Sequence, residues 1–267
     1  MNEPSAMGMR RFGRINWLGM KTLARREMQR FLSIWMQTIM APLVTAGLFL
    51  AIFSIAIGPG RGEVMGFSYL HFIAPGILTM TVIQNAFANT SSSLLVSKVQ
   101  GNIVDTLMPP LSAGEIVAGY IAGGVGRGLF VALPIGLVMM PVLGITVQSP
   151  LLALLFITLG AALMAGLGLL AAIFANKFDQ VAAISNFVIT PLSFLSGTFY
   201  SVEAVPPVMA HLLHWNPIFY LIDGVRYGVL GISDRSPLLG LAILTTVTAI
   251  IIVWCWHWVR RGYRLKP

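Results

Sequence analysis

The sequence predicts an all-α membrane protein with six transmembrane helices. Among its 267 residues, 57% are hydrophobic and only 10% are charged, whereas soluble domains carry about 25% charged residues. Three long stretches, residues 31–60, 64–97 and 128–176, contain no Asp, Glu, Lys or Arg. Core helices of soluble proteins seldom exceed about 20 residues, so runs of this length indicate membrane-spanning segments.

Turn-forming sequences divide the apolar region into six predicted spans. They lie at 34–57, 68–91, 117–143, 151–175, 181–200 and 237–259. The separating segments are GPGRGE (58–63), the polar stretch 97–115, TVQSP (146–150) and NKFDQ (176–180). The predicted domains are therefore a cytoplasmic N-terminal segment (1–33), a membrane domain (34–259) and a basic cytoplasmic tail (260–267).

The distribution of basic residues predicts the orientation of the chain. The net charge is +8, and most of the 17 Lys and Arg residues flank the membrane domain. They are Arg10, Arg11, Arg14, Lys21, Arg25, Arg26 and Arg30 before it, and Arg260, Arg261, Arg264 and Lys266 after it. Basic residues accumulate on the cytoplasmic side, so both termini are expected in the cytoplasm. The same bracketing argues against a nucleic-acid partner.

A segment before the first span is predicted to form an amphipathic helix at the membrane surface. Its apolar residues recur every three or four positions, at Trp17, Met20, Ala24, Met28, Phe31 and Trp35. Lys21, Arg25, Arg26 and Arg30 lie off that face. A basic amphipathic helix with aromatic ends favours the lipid headgroup plane. The alternative is a helix packed on a soluble domain.

A half-length helix is predicted between the fifth and sixth spans. Asn216 and Pro217 are typical of a helix cap and first helical position, and Gly228 of a stop. The twelve or so residues between them cannot span a bilayer, which needs about 20. Asp223 and Arg226 are three residues apart, so they share one helical face and can form an ion pair.

The polar segment between the second and third spans is predicted to hold a short helix. Gly101 precedes an apolar pattern, Asp105 lies on its opposite side, and Pro109 ends it. Ser112 and Glu115 then have the spacing of a capping box that starts the next span. Such a helix on the cytoplasmic side suits docking of a soluble partner; the alternative is a simple connector.

Polar residues inside the spans are candidates for substrate contact. Arg127 lies well inside the third span, where it either contacts substrate headgroups or pairs with a carboxylate or helix-end carbonyls. Four uncharged polar residues either line a pathway or form hydrogen bonds between helices. They are Gln84, Asn85, Asn89 and Asn186.

No catalytic or metal-binding pattern is recognised. The sequence has no GxxxxGK[ST] phosphate-binding loop. His211 and His214 are three residues apart but are interpreted as polar tips at the membrane surface, not as zinc ligands. Cys255 is the only cysteine, so neither an intrachain disulfide nor a thiolate metal cluster can form.

Three stretches resemble the membrane subunits of the type-2 ATP-binding-cassette (ABC) permease family. They are GNIVDTLMPPLSAGEIVAGYIAGGVGRGLF (101–130), TPLSFLSGTFYSVEAVPP (190–207) and LLHWNPIFYLIDGVRYGVLGISD (212–234). The resemblance covers nearly the whole chain and is closest to the YadH-type inner-membrane permeases. Nodulation-factor and drug exporters are more distantly similar.

The resemblance implies a multi-pass protein of the bacterial inner membrane that forms a homodimer with two separate ATPase subunits. The chain itself would bind no cofactor, because ATP and magnesium would be held by those partners. The helix at 99–108 would contact the ATPase, with the helix at 17–33 beside it. The ATPase-coupling residues would be Lys98, Gln100, Gly101, Asn102, Asp105 and Leu107.

The resemblance also implies a path for the substrate and a role for the half-length helix. An amphipathic or lipid-like substrate would move outward along the dimer interface, chiefly past the second and fifth spans. Two re-entrant helices, at 204–214 and 217–228, would form an external gate that contains Asn216, Pro217, Asp223 and Arg226. Two other functions remain as alternatives: a non-transporting scaffold or signalling subunit, and an intramembrane enzyme acting on lipid.

Overall fold

The computed structural model describes residues 15–56 and 62–265, and in this part of the chain all regular structure is helical. Arg10, Arg11, Arg14, Arg61 and Lys266 lie outside the described residues. The helices are α1 (Trp17–Leu32), α2 (Trp35–Ala56), α3 (Tyr69–Val99), α4 (Val104–Leu107), α5 (Ala113–Val142), α6 (Pro150–Phe174), α7 (Phe178–Ile184), α8 (Thr190–Leu195), α9 (Pro207–Trp215), α10 (Pro217–Leu230) and α11 (Pro237–Arg261). A π-helical turn, Ser185–Ile189, joins α7 to α8, and a 3-10 turn, Val202–Ala204, precedes α9.

The prediction of six spans is confirmed. Within the described residues, six helices are long and apolar enough to cross a membrane. They are α2, α3, α5, α6, the α7–α8 unit and α11. The predicted second span ends too early, since α3 continues from residue 91 to Val99. Ser91, Ser92 and Ser97 donate their hydroxyl protons to carbonyls of α3 itself, so these polar residues do not interrupt the helix.

The core of the bundle is built on α3, which packs against α5, α6 and α10. Helices α3 and α6 approach closely at Gly168, where a Cβ atom would collide with the Phe87 carbonyl. At the same contact, the Thr90 hydroxyl donates a 2.7 Å hydrogen bond to the Ala165 carbonyl. Small residues and hydroxyl-to-carbonyl bonds of this kind hold membrane helices together, since lipid is as apolar as the helices themselves.

By contrast, α2 and the fifth span leave most of their surface uncovered. Only Thr38 and Ala46 are buried in α2, and no residue of α7 is buried. The fifth span also has the π-helical turn, which lies just before Pro191. A proline ring clashes with the carbonyl four residues earlier, here that of Phe187, and widening of the helix at that point relieves the clash.

The first and the last described residues lie at one end of the bundle, which we call the terminal end. There the Asn16 amide bonds to Glu115 at the start of α5, and the Arg264 guanidinium bonds to the Phe174 carbonyl at the end of α6. The opposite end carries α9, the loop after α10 and the α5–α6 turn, where His71 Nε2 lies 2.8 Å from the Leu143 carbonyl oxygen.

The predicted N-terminal helix is present as α1, but the side of it that is buried differs from the prediction. Leu23, Glu27 and Phe31 face inward, mainly against α5, whereas Trp17 and Trp35 are exposed. Of the residues predicted to form the apolar face of this helix, Phe31 alone is buried. Neighbouring glycines in α5 draw the Leu23–Glu27 side inward, since they allow close approach. Location of α1 at the membrane surface stays a prediction.

Two short helices occupy the region of the half-length helix. Asn216 caps α10 as predicted, because its side chain accepts a 3.0 Å hydrogen bond from the Ile218 amide. The predicted stop at Gly228 is wrong: α10 continues to Leu230 and is capped by Gly231, which has a φ of 77°. Gly228 instead lies where any Cβ atom would collide with the backbone of Ala153. The depth of α9 and α10 in the membrane stays a prediction.

Candidate functional site

The predicted coupling segment is an exposed turn followed by a single helical turn, α4. Gly101 lies at its tip with a φ of 76°, and a Cβ atom there would meet nothing. Gln100, Asn102 and Asp105 are also exposed, whereas Leu107 is half-buried against the core. The turn therefore exposes backbone, the polar side chains of Gln100, Asn102 and Asp105, and the apolar Val104. We call residues 100–105 the exposed tip.

Buried contacts hold the exposed tip in place from behind. Ile103 is buried, and its amide donates a 3.0 Å hydrogen bond to the Ser97 carbonyl of α3. Thr106 is also buried, and its hydroxyl accepts a 3.1 Å hydrogen bond from Arg26 of α1. The tip is thus fixed to two helices at once.

Lys98 belongs to this support and not to the exposed surface. Its side chain is only 9% exposed. The ammonium group donates hydrogen bonds to the carbonyls of Ala172, Ile173 and Ala175, at 3.0, 2.9 and 2.7 Å. These are carbonyls at the end of α6, which lack partners within the helix and carry partial negative charge. Lys98 therefore joins the end of α3 to the end of α6.

Asn16, the residue directly before α1, connects α1 to α5 and to the segment after α4. The Asn16 amide donates to Glu115 Oε1 at 2.6 Å, and its side-chain amide donates to the Pro110 carbonyl at 3.1 Å. Glu115 Oε2 accepts from the Ser112 amide at 2.7 Å, which confirms the predicted capping box of α5. A groove of about 280 Å³ lies between α1 and the α4 region, and Arg26 and Thr106 line it.

A basic cluster lies where α1 meets α3 and α5. Glu27 is 1% exposed and lies against Gly123 of α5. Its carboxylate oxygens are 3.2 Å from Arg26 Nη2 and 3.7 Å from Arg30 Nε. Arg30 also donates to the backbone and side-chain oxygens of Asn89, at 2.6 and 3.0 Å. Sequence reasoning missed Glu27, whose only signal is its position as the single acidic residue of α1.

Arg127 lies beside this cluster without a partner. Among the described residues it forms no hydrogen bond and no ion pair, and its Nε atom is buried. The neighbouring charge that acts on it is Arg30, which has the same sign. The expected pairing with a carboxylate or with helix-end carbonyls is therefore not found, and contact with a substrate headgroup remains the other alternative.

The remaining polar residues of the spans are not brought together by hydrogen bonds. Asn85 donates to the Thr81 carbonyl of its own helix at 3.0 Å. Gln84 is half-buried on α3, and Asn186 is exposed on the π-helical turn. Of these candidates, only Asn89 forms a hydrogen bond to another helix, through Arg30.

At the opposite end, Arg226 is the centre of a buried charged cluster. Its side chain is 0% exposed, and Nη1 lies 3.7 Å from Asp223 and 3.5 Å from Asp234. It also donates to the Gly197 carbonyl at 2.5 Å and lies over the Phe72 ring at 3.9 Å. The predicted Asp223–Arg226 ion pair is thus present, but the second carboxylate was not foreseen.

Hydrogen bonds extend this cluster to the neighbouring loops. The Asp223 carboxylate accepts from the backbone amides of Asp234 and Arg235, at 2.8 and 3.0 Å. His214 Nε2 accepts from the Arg235 guanidinium at 3.1 Å. Burial and then the Arg235 charge lower the pKa of His214, which favours the neutral ring that this bond requires. Asn216 donates to Ser196 at 2.7 Å and so holds α10 to the end of the fifth span.

The described residues contain no group of three or more His, Cys, Asp or Glu side chains that could hold a metal ion. His211 accepts a hydrogen bond from Trp215, and His214 interacts with Arg235. The two histidines thus have separate partners.

Known proteins resemble this chain over nearly its whole length. It is 39% identical over 250 residues to the inner membrane transport permease YadH of Escherichia coli (strain K12), which covers 94% of this chain and 98% of the relative. It is 27% identical over 244 residues to nodulation protein J of Rhizobium leguminosarum bv. viciae, covering 90% and 91%. The sequence profile of the ABC-2 type transporter matches residues 19–230. The chain belongs to the ABC-2 type transporter family.

Proposed function

We propose that the chain is the permease subunit of an ATP-driven exporter. Two copies would form a homodimer, and two separate ATPase subunits would supply the energy. The substrate would be amphipathic, such as a lipid, a glycolipid or polysaccharide, or a drug. The observation that carries the proposal is the exposed tip. Ile103 and Thr106, which are buried within it and directly after it, are hydrogen-bonded to α3 and α1. A partner that pushes on this tip would move the whole helical block.

Hydrogen bonds next to the exposed tip connect it to the spans, so movement of the tip would be transmitted to them. Lys98, two residues before it, is hydrogen-bonded to the end of α6. The Pro110 carbonyl accepts a hydrogen bond from the Asn16 side chain, and the Asn16 backbone amide donates one to Glu115 at the start of α5. Movement of the tip is therefore expected to shift α3, α5 and α6 together. We assign ATPase contact to Gln100, Gly101, Asn102 and Asp105, and support of the tip to Lys98 and Leu107.

We further propose that the terminal end faces the cytoplasm of a bacterium and that the protein lies in the inner membrane. The exposed Arg25 of α1 and the arginines at and just after the end of α11 (Arg260, Arg261 and Arg264) lie at this end, where anionic lipid attracts positive charge. Helix α1 would lie near the headgroups, with Trp17 exposed to them. The name of the Escherichia coli relative supports the inner membrane.

The uncovered faces of α2 and the fifth span support a homodimer. Exposed Phe187 and Val188 directly follow Asn186 on the fifth span, so a second copy can cover an apolar surface that contains one polar group. Substrate would pass along this interface, next to Gln84 and Asn85 of α3. The helices α9 and α10 would be re-entrant and would gate the outer opening, with Arg226 holding α10 in place.

Purification with a partner tests the exporter against the scaffold alternative. The chain is co-expressed with the ATPase of a neighbouring reading frame and purified in native lipid through a tag on this chain alone. The proposal predicts one ATPase per permease chain and a hydrolysis rate that a lipid or glycolipid fraction changes. A chain that purifies without any ATPase, whatever the nucleotide, would favour a scaffold without transport.

A further inference from the structure

The basic cluster between α1, α3 and α5 has more positive than negative charge. Arg26, Arg30 and Arg127 supply three guanidinium groups, and within the described part of the chain Glu27 is the only carboxylate in contact with any of them. Glu27 is already shared between Arg26 and Arg30. Arg127 has no acceptor among the described residues. The site therefore carries an excess of two positive charges next to apolar spans, where an uncompensated charge is unfavourable.

Hydrogen-bond donors at this site are also unused. Nε of Arg30 and Nε of Arg127 are buried and have no acceptor among the described residues. The Arg30 side chain nevertheless remains 36% exposed, so a ligand can approach it from outside the protein. Buried donors are almost always paired in folded proteins. Arg30 Nε has only the 3.7 Å contact with Glu27, and Arg127 has no partner among the described residues. The donors that remain therefore indicate an acceptor that is not part of the chain.

We propose that Arg30 and Arg127 bind the phosphate group of an anionic lipid. A guanidinium group matches phosphate oxygens with two parallel hydrogen bonds, and a phosphate would neutralise the excess charge. Phe31 directly follows Arg30 and Phe130 lies three residues after Arg127, and their rings pack 5.5 Å apart. This apolar neighbourhood suits a phosphate that carries acyl chains better than a hydrated free phosphate ion. Whether the lipid is also cargo rests on the proposed exporter function; the binding itself does not.

Binding is measured on the purified full chain in detergent, without an ATPase, so that the result does not depend on transport. The probes are phosphatidic acid and diacylglycerol with identical acyl chains, which differ only in the phosphate. Binding of phosphatidic acid, and none of diacylglycerol, is expected. Equal affinity for both would overturn the proposal.

Substitutions then locate the site. Arg127→Gln and Arg30→Gln are each expected to weaken binding of phosphatidic acid about tenfold or more, since each removes a charge-assisted pair. Arg127→Lys keeps the charge but not the two parallel hydrogen bonds, so its affinity should lie between those of the unaltered protein and Arg127→Gln. The matched control is Arg25→Gln, because Arg25 is exposed on the same helix. A loss for Arg25→Gln as large as for Arg127→Gln would indicate general surface attraction and would overturn the proposal.

Two further measurements use the unaltered protein, which covers the case in which a variant does not fold. Phosphatidic acid should protect Arg30 and Arg127, but not Arg25, from the arginine reagent phenylglyoxal, as read by peptide mass spectrometry. Equal modification with and without lipid would contradict the site. Inorganic phosphate in hundredfold excess should fail to displace the lipid; displacement would assign the site to free phosphate instead.

Discussion

Arg226 donates a 2.5 Å hydrogen bond to the backbone carbonyl of Gly197, which joins α10 to the turn that ends the fifth span. The same guanidinium group lies between the carboxylates of Asp223 and Asp234. One side chain thus links a short helix, a span end and the loop before α11. We infer that α10 and the loop before α11 keep their position through this cluster.

Replacement of Arg226 by Gln is expected to destabilise the protein strongly. It would leave two buried carboxylates without their cation, and removal of one partner from a buried ion pair costs about 3–5 kcal/mol. The melting temperature in detergent should fall by several degrees or more. The control is Arg235→Gln, since Arg235 is exposed and contacts His214 at the surface. Equal melting temperatures for the two variants would show that the cluster contributes little to stability.

Exchange of the two charges is a second test of the same cluster. A simple ion pair would be restored in the double variant Asp223→Arg and Arg226→Asp. Here we expect no restoration, because Asp223 accepts two backbone amides and Arg226 donates to a backbone carbonyl. A double variant as stable as the original protein would show that Asp223 and Arg226 act as a simple ion pair.

Lys98→Met separates a supporting role from direct contact with an ATPase. Met fills a similar space but cannot donate to the three carbonyls of α6, and each unsatisfied buried acceptor costs about 1–3 kcal/mol. We expect a lower melting temperature than for Lys177→Gln, where the lysine is exposed. Unchanged melting together with loss of ATPase binding would instead place Lys98 in the docking surface.

Gly101→Pro tests the coupling role of the exposed tip. Proline fixes φ near −65°, whereas this position has a φ of 76°, and it also removes the hydrogen bond from the Gly101 amide to the Lys98 carbonyl. We expect ATP hydrolysis without transport and a nearly unchanged melting temperature, because Gly101 itself is exposed and makes no core contact. Asn tolerates positive φ, so Gly101→Asn should remain coupled. Normal transport by Gly101→Pro would refute the coupling role.

Single-cysteine labelling tests the orientation. Cys255 is buried and is replaced by Ser, after which one cysteine is placed at Asn102 or at Ser236, both of which are exposed. A membrane-impermeant maleimide added to spheroplasts should label position 236 directly and position 102 only after the membrane is permeabilised. The reverse pattern would place the terminal end outside the cell.

Local sequence patterns predicted the features that depend on residues close together in the chain, namely the spans and the starts of helices. Apolar runs identified the six spans, and the Ser112–Glu115 and Asn216–Pro217 patterns located two helix starts correctly. Contacts between distant residues could not be predicted in this way. Lys98 finds its acceptors 74 to 77 residues away, and no spacing rule connects such positions.

The inner face of α1 shows the same limit. Helical periodicity selects Trp17 and Trp35 as the apolar side, whereas glycines in α5 bring Leu23 and Glu27 inward. The buried face is therefore set by a partner helix more than 80 residues later in the chain. A buried Glu27 is stable there because two arginines contact it, and neither contact follows from hydropathy.

The exporter function is decided by transport in the reconstituted complex. The permease and its ATPase are placed in vesicles with fluorescent phosphatidic acid, and ATP is supplied on the side of the exposed tip. We predict movement of the lipid to the opposite leaflet, and no movement with an ATPase that cannot hydrolyse ATP. Hydrolysis with no movement of this or any other lipid or glycolipid would contradict the exporter and favour a scaffold.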